Sequence, residues 1–367
     1  MALPIAVPEM RKIASMEDSA TDSATEFFSY LGEFDTIIDV RSPSEFAEDH
    51  IPGAINCPVL NDEERARVGT LYKQVSPFDA KKIGAALVSK NIAAHIEESF
   101  LVKPRNWRPL VYCWRGGNRS GAMTHVLGRI GWQAEQLDGG YKEYRKRVNL
   151  ALAEWHYPYQ FQVVCGTTGS GKSRLLHALG AIGAQVLDLE GLASHRGSVL
   201  GNLPCELQPS QKAFESQLWD RLRRFNPSLP IFVESESKKI GNLRVPEALM
   251  QAIRQSACIS VRLPQVQRVR LLMEDYTHFV SDPHFLATRL DCLVYLHGHE
   301  KIDRWKEMAS SGDMAAMVNE LLENHYDPAY LRSIDRNFVQ YPKARVLELS
   351  DISDECFHSA AEALYRG

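Results

Sequence analysis

Two short stretches of this chain carry the residue types that do chemistry. In Cys113-Trp-Arg-Gly-Gly-Asn-Arg-Ser120 a thiol opens a loop that holds two arginines and two glycines. The thiolate is the reactive form of cysteine, and fixed positive charge or converging backbone N–H groups favour it. Arg115 and Arg119 supply charge, and Gly116, Gly117, Asn118 and Ser120 supply a backbone cradle. The pattern predicts a reactive Cys113 beside an anion site suited to a carboxylate, a phosphate or a selenium-bearing oxyanion. A compact apolar cysteine in an ordinary turn is the plain alternative.

The second stretch, Gly166-Thr-Thr-Gly-Ser-Gly-Lys-Ser173, fits the spacing Gly-x4-Gly-Lys-Ser. In that motif the backbone N–H groups from Gly166 through Thr167, Thr168, Gly169, Ser170 and Gly171 wrap a di- or triphosphate. Lys172 reaches the terminal phosphates, and the Ser173 hydroxyl is placed to hold Mg²⁺.

Both stretches need a strand to deliver them and a helix to receive them. The apolar run Pro-Leu-Val-Tyr112 reads as a strand ahead of Cys113, and residues 121–130 repeat apolar side chains at helical spacing. Phe161-Gln-Val-Val-Cys165 and residues 174–179 do the same for the second loop. Further strands over 185–189 and 231–235 end in acids. Of these, Asp188, Glu234 and Glu236 are candidates for an acid or for a Mg²⁺ ligand, with Glu234 the second acidic motif; helix capping is the alternative. The basic, glycine-bearing loop from His195 and Arg196 to Gly201 is a candidate for substrate contact.

With 367 residues there is room for more than one domain. The fold class is α/β, with three predicted parts. Residues 1–150 form a first α/β domain, residues 151–295 a P-loop domain with a parallel sheet, and residues 296–367 a helical extension of the latter. The stretch from Ala151 to Tyr159, with its Trp155-His-Tyr-Pro-Tyr159, reads as the linker. Residues 1–25 read as a polar lead-in without a signal peptide, and no apolar run is long enough to cross a membrane. Seven scattered cysteines without a Cys-x-x-Cys pair suit a reducing cytoplasm. The net charge of −4 hides a gathering of positive charge: residues 101–150 hold 10 Lys and Arg against 3 Asp and Glu. Lys142, Arg145, Lys146 and Arg147 are the candidates for contact with a nucleic-acid backbone.

Asp39-Val-Arg-Ser-Pro-Ser-Glu-Phe46, His50-Ile-Pro-Gly-Ala-Ile-Asn56, the Cys113 loop and Gly139-Gly-Tyr-Lys-Glu-Tyr144 together resemble rhodanese domains. That resemblance implies a cysteine that carries sulfur or selenium. The Cys-x5-Arg loop is one residue longer than in common sulfurtransferases and equals that of dual-specificity phosphatases. A phosphatase or sulfurtransferase joined to a kinase-like P-loop domain is therefore the alternative reading.

A rhodanese-like domain ahead of a P-loop domain, with Asp188-Leu-Glu-Gly-Leu-Ala-Ser-His-Arg-Gly197 and Val233-Glu-Ser-Glu-Ser-Lys-Lys-Ile-Gly241, resembles the tRNA 2-selenouridine synthase family. The resemblance implies conversion of wobble 2-thiouridine to 2-selenouridine in tRNAs for Lys, Glu and Gln, through an S-geranyl intermediate. Geranyl diphosphate and selenophosphate are the implied co-substrates, with Mg²⁺ an allowed companion and ATP not required. An enzyme that supplies selenophosphate is a further implied partner.

Overall fold

The computed structural model describes residues 20–153, 159–197 and 207–366. Residues 1–19 of the lead-in, residues 154–158 of the stretch read as a linker, and residues 198–201 of the His195 loop lie outside them. Residues 20–25, read as lead-in, instead open the first helix, and residues 151–153, read as linker, close the helix that ends the first part. The first part of the chain runs α1 (Ala20–Leu31), β1 (Thr36–Asp39), α2 (Pro43–Glu48), β2 (Ile55–Asn56), α3 (Asp62–Gln74), α4 (Pro77–His95), β3 (Pro109–Tyr112), α5 (Asn118–Ile130), β4 (Glu135–Gln136) and α6 (Gly140–Ala153). All four strands are parallel in the order β2-β1-β3-β4. All four residues of β3 are buried, as a strand covered on both faces requires. Cys113 therefore leaves an interior strand at its carboxyl end, the edge at which open α/β sheets bind ligands.

The second part begins with β5 (Phe161–Cys165), α7 (Lys172–Ala181), β6 (Gln185–Leu187), α8 (Leu189–Ala193), α9 (Gln211–Leu222) and β7 (Ile231–Glu234). A hairpin of β8 (Lys239–Ile240) and β9 (Leu243–Arg244) leads into α10 (Glu247–Gln255) and β10 (Ala257–Arg262). Seven helices follow: α11 (Gln265–Asp275), α12 (Thr277–Ser281), α13 (Pro283–Leu290), α14 (Val294–His297), α15 (His299–Ser310), α16 (Met314–Leu321) and α17 (Asp327–Asn337). The chain then ends in β11 (Arg345–Glu348) and α18 (Asp354–Tyr365). The sheet order is β11-β10-β5-β7-β6, parallel throughout, with β5 in the middle.

The tail is helical as expected up to α17, but its last residues return to the P-loop sheet. Arg345-Val-Leu-Glu348 pairs with β10, and Phe357 of α18 joins the core beneath α7. A four-residue edge strand with mixed polarity leaves no legible period, so only its pairing partner reveals it.

A single apolar core joins the two sheets. Phe28 of α1 packs edge-on against Tyr144 of α6, with centroids 6.1 Å apart, and against Trp219 of α9 at 5.6 Å.

Candidate functional site

At the Cys113 loop the thiol is buried, as is the Ser120 that faces it. Cys113 is 3 % exposed, and its Sγ accepts hydrogen bonds from the Gly117 N–H and the Ser120 hydroxyl, each at 3.2 Å. Burial pushes the thiol up, but the Ser120 hydroxyl and the backbone N–H groups of Ser120, Arg115 and Gly117 outweigh it and hold the thiol below its ordinary value. Buried Cys57 has no such donors, and burial with the nearby Asp39 charge pushes it up to about 11. Gln136 Nε2 donates to the Ser120 oxygen at 2.9 Å, which leaves the single hydroxyl hydrogen for Cys113 or for the Gly117 carbonyl.

The two arginines of the loop separate. Arg115 is exposed at the rim, whereas Arg119 Nη1 is 2.8 Å from Glu45, an ion pair only partly open to solvent. Asp39 is structural here: it holds Arg41 in a buried pair at 2.6 Å. Arg41 also donates to the Asp49 carbonyl and lies 3.9 Å from the Tyr141 ring centroid.

The amino end of α6 forms the floor of the loop. Tyr141 N–H and Lys142 N–H donate to the carbonyls of Cys113 and Trp114 at 2.9 and 3.0 Å. A Cβ on Gly140, which has φ +57°, would lie 2.3 Å from the Cys113 carbonyl oxygen and 2.6 Å from the Gly116 nitrogen. Only glycine tolerates both that approach and that backbone.

Along the same helix the four basic candidates divide. Lys142 and Lys146, one turn apart on one face, are exposed. Arg145 turns inward instead: its guanidinium bonds the Lys212 carbonyl, Ser216, Asn149 and Glu215, and it lies 3.7 Å from Asp49. Asp49 is buried there and accepts from Tyr141 and Ser216. Arg147 bonds Glu143 at 2.6 Å. The expectation of one basic face thus narrows to the two lysines, because the helix rotates the arginines toward carboxylates.

In the second loop Lys172 Nζ donates to the carbonyl oxygens of Gly166 at 2.8 Å and Thr167 at 3.4 Å. Two residues from farther along the chain, Arg268 of α11 and Tyr330 of α17, brace this loop. The Tyr330 hydroxyl accepts from the Gly166 N–H at 2.6 Å, and Arg268 donates to the Thr168 carbonyl at 2.7 and 3.0 Å while paired with Asp327. No local pattern marks Tyr330, and Arg268 reads in the sequence only as one of several basic groups that could clamp phosphate or RNA; both brace the loop from far along the chain. The Gly166 N–H is thus engaged by Tyr330, and the Ser170 N–H by the Thr167 carbonyl at 3.1 Å.

Behind the loop, Glu190, Glu234 and Glu236 bring one carboxylate oxygen each to within 4.8 Å of one another. Burial and then mutual repulsion push Glu190 up to about 10 and Glu234 up to about 7, against the pull of Lys172; the Ser173 hydroxyl also favours ionised Glu234. Such a trio calls for protons or a cation, and three carboxylates with a hydroxyl at hand are the oxygen donors that Mg²⁺ takes. Asp188 stands apart, because its side chain accepts from the Gly191 N–H at 2.7 Å and caps α8. Glu190 takes the place given to Asp188.

His195 is buried, with Nδ1 accepting from the Gly197 N–H, and Arg196 donates to the Asp275 carbonyl and stacks on Tyr276. Both are fixed within the fold rather than presented on an open loop.

Residues 159–290 match the family described as the tRNA 2-selenouridine synthase AAA domain, and residues 23–147 match the rhodanese-like domain. The chain is 38 % identical over 244 residues to the tRNA 2-selenouridine synthase of Nitrosomonas europaea, covering 65 % of this chain and 63 % of that one. It is 34 % identical over 328 residues to that of Aeromonas salmonicida, covering 80 % and 86 %, and 36 % identical over 347 residues to that of Bdellovibrio bacteriovorus, covering 83 % and 90 %. Among solved structures, the N-terminal domain of a putative ATP/GTP binding protein from Clostridium difficile is 37 % identical, with 31 % of this chain and 88 % of that one covered and a TM-score of 0.28.

Proposed function

Since the chain belongs to the tRNA 2-selenouridine synthase family, we propose that it converts wobble 2-thiouridine of tRNA to 2-selenouridine in two steps, one at each anion cradle. The observation that carries this reading is the pairing, in one chain, of an ionisable thiol in an amide cradle with a P-loop backed by three carboxylates. In this reading residues 1–150 form the rhodanese-like domain, 151–295 the P-loop domain and 296–367 its extension. The tRNAs for Lys, Glu and Gln are the substrates, and the reaction belongs to the cytoplasm.

The first step takes place at the P-loop. The sulfur of 2-thiouridine attacks the allylic carbon of geranyl diphosphate, and the carbon–oxygen bond breaks with its electron pair leaving on diphosphate. The loop amides and Lys172 stabilise that leaving group as its charge develops. A divalent cation on Glu190, Glu234, Glu236 and Ser173 would neutralise further charge on the diphosphate. ATP is not needed for this step.

At the Cys113 loop, the selenium of selenophosphate attacks C2 of the base and displaces geranyl thiolate, and water then cleaves the selenium–phosphorus bond to release phosphate and leave 2-selenouridine. The amide cradle and Arg115 hold the anionic donor, and Cys113 presents the thiolate that handles selenium. Lys142 and Lys146 contact the tRNA backbone.

The test incubates 2-thiouridine tRNA with the protein, geranyl diphosphate and selenophosphate and analyses the nucleosides by mass spectrometry. Wild type is expected to yield 2-selenouridine, Cys113→Ala to accumulate geranyl-thiouridine, and Lys172→Ala to leave thiouridine unchanged. Unmodified thiouridine with wild type would overturn the reading. Turnover of phosphoesters without tRNA would instead favour a phosphatase, against which stands the engagement of Arg119 by Glu45.

A further inference from the structure

Immediately beside the P-loop, helices α11–α13 and α16 line an apolar pocket that opens to solvent at its mouth. Thr168 of the loop forms part of its wall, and the rest comes from α11, α12, α13, α16 and the turn after it, including Leu272, Tyr276, Phe279, Met314 and Met317. No charged side chain lines it among the described residues. Loop and cavity are in direct contact: a Cβ on Gly169 would meet Leu272 Cγ at 3.0 Å and the Arg268 carbonyl at 3.2 Å. Arg268 and Asp327 clamp the Thr168 carbonyl at the same junction.

An anion cradle that shares a wall with an apolar cavity suits one class of small molecule, an amphiphile with a phosphorylated head and a hydrocarbon tail. Nucleotides do not fit the description, because a ribose and base would bring many polar groups against a lining with almost none to offer. Several methionines line the cavity, and their unbranched thioethers reshape readily around an irregular branched chain.

We propose that this cavity is the hydrocarbon subsite of the P-loop, holding the isoprenoid chain of an allylic diphosphate whose head lies in the Gly166–Ser173 loop. This rests on the P-loop reading given above and goes beyond it by assigning the tail to α11–α16. Tail burial then supplies affinity that diphosphate alone lacks, and the walls select the chain length. This helical segment is accordingly a substrate-binding element.

Isothermal titration of wild type, Val318→Trp and Met273→Trp with geranyl diphosphate and with inorganic diphosphate tests this. The two substitutions enter the cavity from different walls, so a folding defect in one does not remove the test. Burying most of a ten-carbon chain is expected to make geranyl diphosphate bind wild type about a hundredfold or more tighter than inorganic diphosphate. Each filled variant should lose about tenfold or more of that advantage while its affinity for inorganic diphosphate stays unchanged. If a folded variant keeps the full advantage, the cavity assignment is wrong while the P-loop reading stands. If wild type shows no advantage and transfers no geranyl group to thiouridine tRNA, both fall together.

Discussion

Replacing Ser120 by alanine removes one identifiable cause of thiol activation and leaves the others in place. The hydroxyl lies 3.2 Å from Cys113 Sγ, is buried, and has its oxygen occupied by Gln136. A hydrogen bond to a charged group contributes about 1.5–3 kcal/mol, and one pKa unit corresponds to about 1.4 kcal/mol. The Cys113 pKa should therefore rise by about one to two units in Ser120→Ala. The Gly117, Arg115 and Ser120 N–H groups keep it from rising further. The assay is the pH dependence of iodoacetamide alkylation, read on the Cys113 peptide by mass spectrometry because Cys292 is exposed and would blur a bulk signal. The midpoint of the profile is the quantity to compare. A rate at one pH understates the effect, since a thiolate of higher pKa is also more nucleophilic. An unchanged midpoint would refute the reasoning and would mean that the hydroxyl hydrogen stays on the Gly117 carbonyl at 3.2 Å.

Gly140→Ala should lower the Tm and move the Cys113 midpoint back toward that of a free thiol, because the new methyl group meets backbone at 2.3 Å; the left-handed backbone alone costs about 1–2 kcal/mol. Gly128→Ala, inside α5 with nothing within 4 Å of its Cβ, is the control: it should leave the Cys113 midpoint unchanged and should not lower the Tm. Glu190 has its folded-state pKa raised to about 10, so its contribution to stability is present below its ordinary value and fades as pH rises toward 10. Calorimetry without divalent ions should show the wild-type Tm falling between about pH 5 and 9, with Mg²⁺ restoring it at the upper end and Glu190→Gln flattening both responses. The double variant Lys142→Ala, Lys146→Ala should reduce the slope of log affinity for tRNA against log salt by about 2, and an equal slope would remove these lysines from the RNA-binding surface.

Both loops were legible in the sequence because each is a contiguous pattern whose physics is local: a strand, a turn with small residues, and a helix. The fold class was legible for the same reason. What remained hidden depends on distance along the chain. Tyr330 and Arg268 brace the P-loop from α17 and α11, and Arg145 meets Glu215 and Asp49 only after α9 has packed on α6. Asp188 and Glu190 stand two residues apart at one strand end, and either could have been the ligand; the cap at Gly191 decided between them. The edge strand Arg345–Glu348 was missed because its apolar content is too small to signal burial.

The position of α6 bears on how the RNA must travel. Its first turn is bonded to the Cys113 loop, and further along Tyr144 and Arg145 are locked into α9 through Ser216, Glu215 and the rings of Phe28 and Trp219. One rigid rod thus underlies the Cys113 loop and is welded to the half that carries the P-loop, so swinging one half toward the other would unpack buried aromatics and break the Asp49 cluster. A two-stop itinerary on such a chassis falls to the cargo. In the two-step reaction proposed above, the wobble nucleotide is then the moving part, and the time it spends between stops becomes a step in its own right.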